Sequence, residues 1–495
     1  MRLRLPVPAV LILSSALVTA CQSATPEDRA AASGVTHVEG LGSLVFPTSG
    51  RAEAQPAFVR GVLLLHSFEY GPAAEAFRDA QAADPDFTMA YWGEAMTYNH
   101  PLWGQQDIEA ARAVLERLGA TPEARAARAP TERERGYLVA VEALYGEGTK
   151  EERDRAYLLE MAALQNAYPA DMEARAFHAL AILGSRDGAR DFATYMRAAA
   201  TAQAVFDDNP DHPGAAHYLI HSFDDPVHAP LGLPAARRYA EIAPEASHAQ
   251  HMTSHIFVAL GMWDDVVAAN IRARDTQDAQ NLADDGRANV CGHYSSWLQY
   301  GHLMRGEVDE AAALLDRCHA RMSDSPSNGE RGYFASMRAR QILDTEDWSL
   351  ADRWQWPEDD DEDVTGRAAA DYDFVNAFAA LRRGDAGPAR RLSAGPAPGE
   401  ANVQDTELRG LVAIADGRLD AGLAALRQAA GDEDAMPFAF GPPAVLKPAH
   451  ELLGEELLRA GFTEHAVLAF ERAAERTPGR TLALRGLRQS RDRSR

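Results

Sequence analysis

LLGEELLRAGFTEHAVLAFERAAERTP, residues Leu452–Pro478, sets Gly454, Gly461, Ala466, Phe470, Ala473 and Pro478 at the intervals of two antiparallel helices joined by a tight turn. Small residues where the helices cross allow close approach, and a proline after the last turn ends the second helix. Ala73, Phe77, Ala80 and Pro85 repeat the second half of this unit near the other end of the chain. Between them the periodicity predicts helical pairs around 88–122, 131–169, 172–210, 213–246, 247–285, 292–326, 328–355, 368–395 and 404–434. That makes about eleven hairpins. Strand signals, alternating β-branched runs joined by Asn-Gly or Asp-Gly turns, are nearly absent. The expectation is an all-α solenoid over residues 54–490, each unit burying its core against the next.

The chain of 495 residues carries 49 basic and 73 acidic side chains, a formal charge of −24. A nucleic-acid partner needs clustered Lys and Arg, so none is expected. The weakest stretch for the repeat is Trp354–Arg367, where Glu358-Asp359-Asp360-Asp361-Glu362-Asp363 reads as a solvated loop. It lacks the glycine and alternating ligand spacing of an EF-hand.

The N-terminus predicts the compartment. Arg2 and Arg4 precede an apolar run, Leu5–Val18, too short to span a bilayer, which reads as a signal peptide over residues 1–20. Val18-Thr19-Ala20-Cys21 resembles the lipobox of bacterial lipoproteins, which implies cleavage before Cys21 and lipidation of its thiol. Gln22 in place of Asp favours, by the same resemblance, the outer membrane with the protein facing the periplasm. The membrane is then a partner only through the lipid anchor. Residues 21–53, rich in Ala, Ser, Thr, Gly and Pro, are expected to be a flexible tether. In an oxidising compartment Cys291 and Cys318, at the open end of one predicted hairpin, are a candidate disulfide. The alternative is two small buried apolar side chains.

The repeat resembles the 34-residue tetratricopeptide repeat. Leu63-Leu64-Leu65-His66-Ser67-Phe68, Ala90-Tyr91-Trp92-Gly93-Glu94-Ala95-Met96 with His100-Pro101-Leu102-Trp103, His217-Tyr218-Leu219-Ile220-His221, His251-Met252-Thr253-Ser254-His255-Ile256, and Gly441-Pro442-Pro443 leading into Lys447-Pro448-Ala449-His450-Glu451-Leu452 look like one widespread family of bacterial tetratricopeptide proteins. The likeness spans nearly all of the chain after the signal. It implies the fold and the lipoprotein context and brings no reaction with it. Where that family usually has Pro before Ser-His, this chain has Thr253.

The histidines hold most of the functional information. His217 and His221 are four apart, and the pair recurs 34 residues on as His251 and His255. Residues four apart share a helix face, and packed helices lie about 8–10 Å apart, so four imidazoles can converge. In arrays resembling tetratricopeptide repeats the second, fifth, ninth, twelfth and thirteenth residues of the first helix face the inner groove. Counting from Pro213, Ser247 and Gly292, the pairs are fifth and ninth, His248 and His293 second, and Asp224 and Asp225 twelfth and thirteenth. His66 and His100 come out as thirteenth residues of the first two units and extend the same lining. Trp92, with Met89 and Met96, suits either a groove platform or the core. Neutral imidazoles with a carboxylate nearby predict one transition-metal site, Zn²⁺ or Cu²⁺, on His217, His221, His251 and His255, with His248, His293 and Asp224 as further ligands or their supports.

Packing or surface roles are expected for the other histidines. His178 and His302 would lie between helices and His228 would cap a helix end. His37, His212, His319 and His465 would sit at the surface. No Gly-x-Ser-x-Gly elbow or phosphate-binding glycine loop is present, and Glu173 or Glu94 is the only base suggested for metal-assisted chemistry. Two functions compete: an envelope lipoprotein scaffold whose groove holds a metal for capture or reaction, and a metal-free module that docks an extended peptide or protein in the groove.

Overall fold

The computed structural model describes residues 34–185, 190–284, 286–356, 366–393 and 402–495. Among these the helices follow one another as antiparallel hairpins: 55–66 with 70–83, 88–96 with 108–118, 132–144 with 150–167, 172–184 with 192–208, and 213–223 with 229–242. The series continues as 247–260 with 263–284, 293–305 with 308–321, 328–345 with the 3-10 turn 348–352, 366–382 with 387–393, 403–415 with 419–435, and 449–459 with 463–476. A last helix, Thr481–Arg493, closes the end. The protein is an all-α solenoid of the tetratricopeptide type, with eleven hairpins among the described residues. None of the described helices is long and apolar enough to cross a membrane.

The small residues act as the spacing predicts. A Cβ on Gly61 or Gly93 would fall 2.8 or 2.3 Å from the Phe77 ring, and on Gly454 or Gly486 2.9 or 2.2 Å from the Phe470 ring. One aromatic is thus clasped by two glycines at both ends of the array. Polar side chains start the helices where the N–H groups would be orphaned. Thr149 with Glu152, Ser327 with Glu330 and Asn402 with Asp405 form capping boxes.

Residues 34–53, expected to be tether, are folded. Thr36–Val38 and Gly42–Leu44 form a small antiparallel hairpin whose Leu41 and Leu44, with Phe46, are buried in the core of the first repeats. Ser43 N–H donates to the Asp211 carbonyl (2.9 Å), and its hydroxyl donates to Asn209 Oδ1 (3.2 Å), which anchors the hairpin beside the repeat that begins at Pro213. Short strands with little alternation gave no periodic signal. The expected signal peptide, Cys21, the start of the expected tether and the acidic run 358–363 lie outside the described residues.

The superhelix returns on itself. Trp263 Nε1–H donates to the Gly479 carbonyl (2.9 Å), Thr481 to the Met304 carbonyl (2.6 Å), and the buried Arg480 pairs with Asp344 (2.5 Å) and Glu451 (2.9 Å). The connection between the last two full hairpins, residues 436–448, packs against the helices 192–208 and 293–305. Phe438 faces Phe192 at 6.4 Å, Phe440 faces Tyr195 at 6.3 Å, and Gly441 rests on Trp297. Cys291 and Cys318 are joined as a disulfide, their Cα atoms 4.5 Å apart, at the open end of the 293–305/308–321 hairpin.

Candidate metal centre

The helices Pro213–Phe223, Ser247–Leu260 and His293–Arg305 are the first helices of three successive units, so equivalent residues stack along one face. Their histidines gather as two groups of three rather than one group of four. His217, His221 and His248 form the first and His251, His255 and His293 the second, and within each the ligand atoms lie within 4.8 Å of one another. The third member of each comes from the next repeat, because its second residue lies level with the fifth and ninth of the unit before.

Hydrogen bonds on the far side of the rings fix which nitrogen faces inward. His217 Nδ1–H donates to the His66 carbonyl oxygen (2.7 Å), which can only accept. Asn270 Nδ2 donates to the Val266 carbonyl (2.9 Å), leaving Asn270 Oδ1 to accept from His251 Nδ1–H (2.8 Å). The Asp224 carboxylate accepts from His255 Nδ1–H (2.6 Å). The Nε2 atoms of His217, His251 and His255 then carry lone pairs, and within each i, i+4 pair the two Nε2 atoms face each other, 3.0 Å apart for His217 and His221 and 3.1 Å for His251 and His255. For His251 and His255 both Nδ1 atoms are donors, so two lone pairs confront each other unless a proton or cation lies between them. Tetrahedral zinc at about 2.0–2.1 Å from each nitrogen would separate two such nitrogens by about 3.3 Å, close to both spacings.

His248 supports the same fit. Its Nε2 is buried and without a hydrogen-bond partner. Its position is set from afar: Ala246 has no side chain to cap the helix, and Glu69 instead accepts from the His248 N–H and the Ser247 hydroxyl, both at 3.0 Å. Burial lowers the pKa of His217 to about 3 and pushes His221, His248 and His251 well below the ordinary imidazole value. These rings are neutral near pH 7, the form in which imidazole binds a metal.

The other predicted residues have different places. His66 is fully buried and does not line the groove. Its Nε2–H donates to Glu173 (2.8 Å) and its Nδ1 accepts from the Tyr218 hydroxyl (2.8 Å), which holds its carbonyl toward His217. His212, expected at the surface, is also buried. Its Nδ1 accepts the Ala215 N–H at the helix start and its Nε2–H donates to Glu173 (3.0 Å). Burial alone would raise Glu173, but the two imidazoles that donate to it bring its pKa down to about 2. It is a saturated structural carboxylate and no base. Glu94 is likewise engaged by Gln81, Arg78 and Arg117.

Trp92 belongs to the core, wedged against Phe46, Tyr137 and Phe177. Asp225 binds Arg190 (3.0 Å) and His228 (2.9 Å) instead of lining the groove. Asp224 orients a ring and does not join the inward nitrogens. His100 stacks on Tyr70 at 3.9 Å, part of an aromatic cluster that reaches the first triad through Phe68 and Trp103. His178 meets Gln165, and His302 donates to Glu307 (2.7 Å).

Residues missed from sequence are Phe68, Glu69, Asn270 and Trp297. Phe68 adopts φ +57° and sets its ring 4.2 Å from His217 and 5.6 Å from His248. Trp297 lies 4.7 Å from His251 and 4.4 Å from His255, closing the second triad from the next repeat. Only Asn270 left a signal, a polar residue on the apolar stripe Val266, Val267, Ala269, Ala273.

No protein-family model matches the chain, and no curated protein matches it. Solved structures that resemble it include a monomeric mutant of IFIT1 with m7Gppp-AAAA, 13% identical over 87% of each chain with a TM-score of 0.36. The APC/C hetero-tetramer Cut9–Hcn1 is 12% identical over 90% of this chain and 78% of that one, TM-score 0.34. Yeast Tom70 is 11% identical over 89% and 95%, TM-score 0.31. Overlap this loose carries nothing about function.

Proposed function

We propose that this protein is an envelope lipoprotein, anchored through Cys21, whose solenoid holds two neighbouring transition-metal ions, one on His217, His221 and His248 and one on His251, His255 and His293. The observation that carries it is the anchoring of Nδ1 on His217, His251 and His255, which points their Nε2 lone pairs into triads. All-nitrogen sites without thiolate suit Zn²⁺ or Cu²⁺, and three imidazoles leave a fourth position open when the ion is bound. Asp224 and Asn270 then act as the outer partners that metal-bound histidines require. Metal capture is favoured over hydrolysis, because every carboxylate beside the triads is already engaged by a ring or a backbone N–H. The reading of the groove as a trough for an extended peptide has less behind it, since Gly441 of the 436–448 connection already rests on Trp297 beside the second triad.

Elemental analysis of the untagged protein, before and after reconstitution, tests the reading. About two equivalents are expected, falling to about none in the His217→Ala/His251→Ala double variant with its helical circular dichroism unchanged. Less than a tenth of an equivalent of Zn, Cu and Ni combined in the wild type refutes the metal sites and leaves peptide or protein docking as the function.

A further inference from the structure

Beside the second triad a cleft of about 580 Å³ opens between the helices His293–Arg305 and Asn328–Thr345 and the connection 436–448. Its walls include His293, Trp297, Tyr333, Phe440, Arg340 and Arg367. The volume is that of a small-molecule site, and Ser296, Asn328, Ser336 and Asp371 stand among the aromatic and apolar walls.

Arg340 is the feature whose contacts within the fold leave a donor unused. Its side chain is buried, with a relative exposure of only 8%. Its guanidinium lies 5.0 Å over the Tyr300 ring, and Nη2 donates to the Pro443 carbonyl (2.8 Å), while Nη1 is buried with no hydrogen-bond partner. No carboxylate among the described residues forms an ion pair with it. Of the nearby carboxylates, Asp344 is paired with Arg480 (2.5 Å) and Asp371 with Arg367 (3.4 Å) and Gln404 (3.3 Å). A buried cation with an idle donor is costly unless something anionic completes it, and a guanidinium fork suits a carboxylate.

We infer that this cleft binds a small organic carboxylate with an apolar or aromatic body, its carboxylate on Arg340, its body between Trp297, Tyr333 and Phe440, and its far end at His293. Tyr333 links the two ends, since its hydroxyl lies 3.3 Å from His293 Nδ1. The carboxylate pole stands on Arg340 alone. Only the contact at His293 rests on the metal reading.

The test uses phenylacetate and its neutral isostere phenylacetamide as probes, titrated into metal-free and zinc-reconstituted full-length protein by calorimetry and tryptophan fluorescence. Phenylacetate is expected to bind at least about tenfold more tightly than the amide in both forms, the increment of a charge-assisted hydrogen bond. Arg340→Gln should erase that preference and Arg340→Lys retain part of it, with thermal melts confirming that both are folded. Equal affinity for acid and amide, an undiminished preference in Arg340→Gln, or binding of neither probe at millimolar concentration overturns the inference. Zinc stoichiometry is measured separately, so carboxylate binding to a protein that takes up no metal sinks the metal reading and leaves the Arg340 site standing.

Discussion

Asp224→Asn separates two metal sites from one. The substitution keeps size and leaves the backbone carbonyl of residue 224, which accepts from Arg190 (2.7 Å), undisturbed. It removes the charge from the 2.6 Å contact to His255 Nδ1. Loss of such an outer partner lowers metal affinity by about 10–100-fold, or about 1.4–2.7 kcal/mol. The loss should fall on the His251–His255–His293 triad alone, because His217 is held by the His66 carbonyl, which the substitution does not touch. Zinc titrated against a chromophoric chelator should show two tight equivalents in the wild type, and one tight plus one weakened equivalent in the variant. Metal binding the folded state contributes about 2.7 kcal/mol per site at a hundredfold excess over its dissociation constant, so at fixed zinc the variant should also melt earlier. Equal weakening of both equivalents, or a change below about threefold in both, refutes the division into two independently supported triads.

Replacing Cys291 or Cys318 by Ser should cost about 3.5 kcal/mol by the chain-entropy estimate for a loop of this length, and thiol counting on the denatured, unreduced native protein should find neither residue free. Gly441→Ala places a Cβ 2.1 Å from the Trp297 ring at φ +100°, so it should lift the 436–448 connection, lower stability by about 2 kcal/mol or more and red-shift tryptophan emission. A wild-type melting temperature would show that the connection is not seated there. Cys21→Ser should move the protein from the membrane to the soluble fraction, and an unprocessed N-terminus with unchanged membrane association would contradict the anchor. Burial lowers the pKa of His66, and two imidazoles lower that of Glu173 to about 2, so in both cases the unfolded chain binds the proton first as pH falls. Their stabilisation is complete above about pH 6.5 and is lost progressively toward pH 2, so a melting temperature flat from pH 6.5 to 4 would argue against the buried His66–Glu173–His212 cluster.

The hairpins were legible because helical period, small residues at crossings and terminal prolines are local signals, and every predicted pair has its counterpart. The repeat register also placed His217, His221, His251 and His255 on one face. The division into two triads was not legible, because it depends on the rise between neighbouring helices, which brings residue 248 level with 217 and 221 rather than with 251 and 255. Counting positions also misassigned His66 and Asp225. Thirteenth and core positions differ by a fraction of a turn, and a buried carboxylate, Glu173, drew His66 and His212 inward. Glu69 caps a helix 179 residues away, a pairing that no window of sequence contains.

A repeat architecture accounts for why there are two triads. Once an i, i+4 pair and a second-position histidine suit one boundary between units, the same positions at the next boundary inherit the same spacing. What differs is the anchor behind each pair: a main-chain carbonyl for His217, an amide and a carboxylate for His251 and His255. A carboxylate behind an imidazole raises its basicity and shares the charge of a bound cation, whereas a carbonyl only orients the ring. On the proposed metal reading the second triad should therefore be the tighter of the two. It is also the one beside the cleft and Arg340, whereas Phe68 and Trp103 crowd the first. On the proposed metal reading the first triad would hold an ion and the second would present one to a ligand.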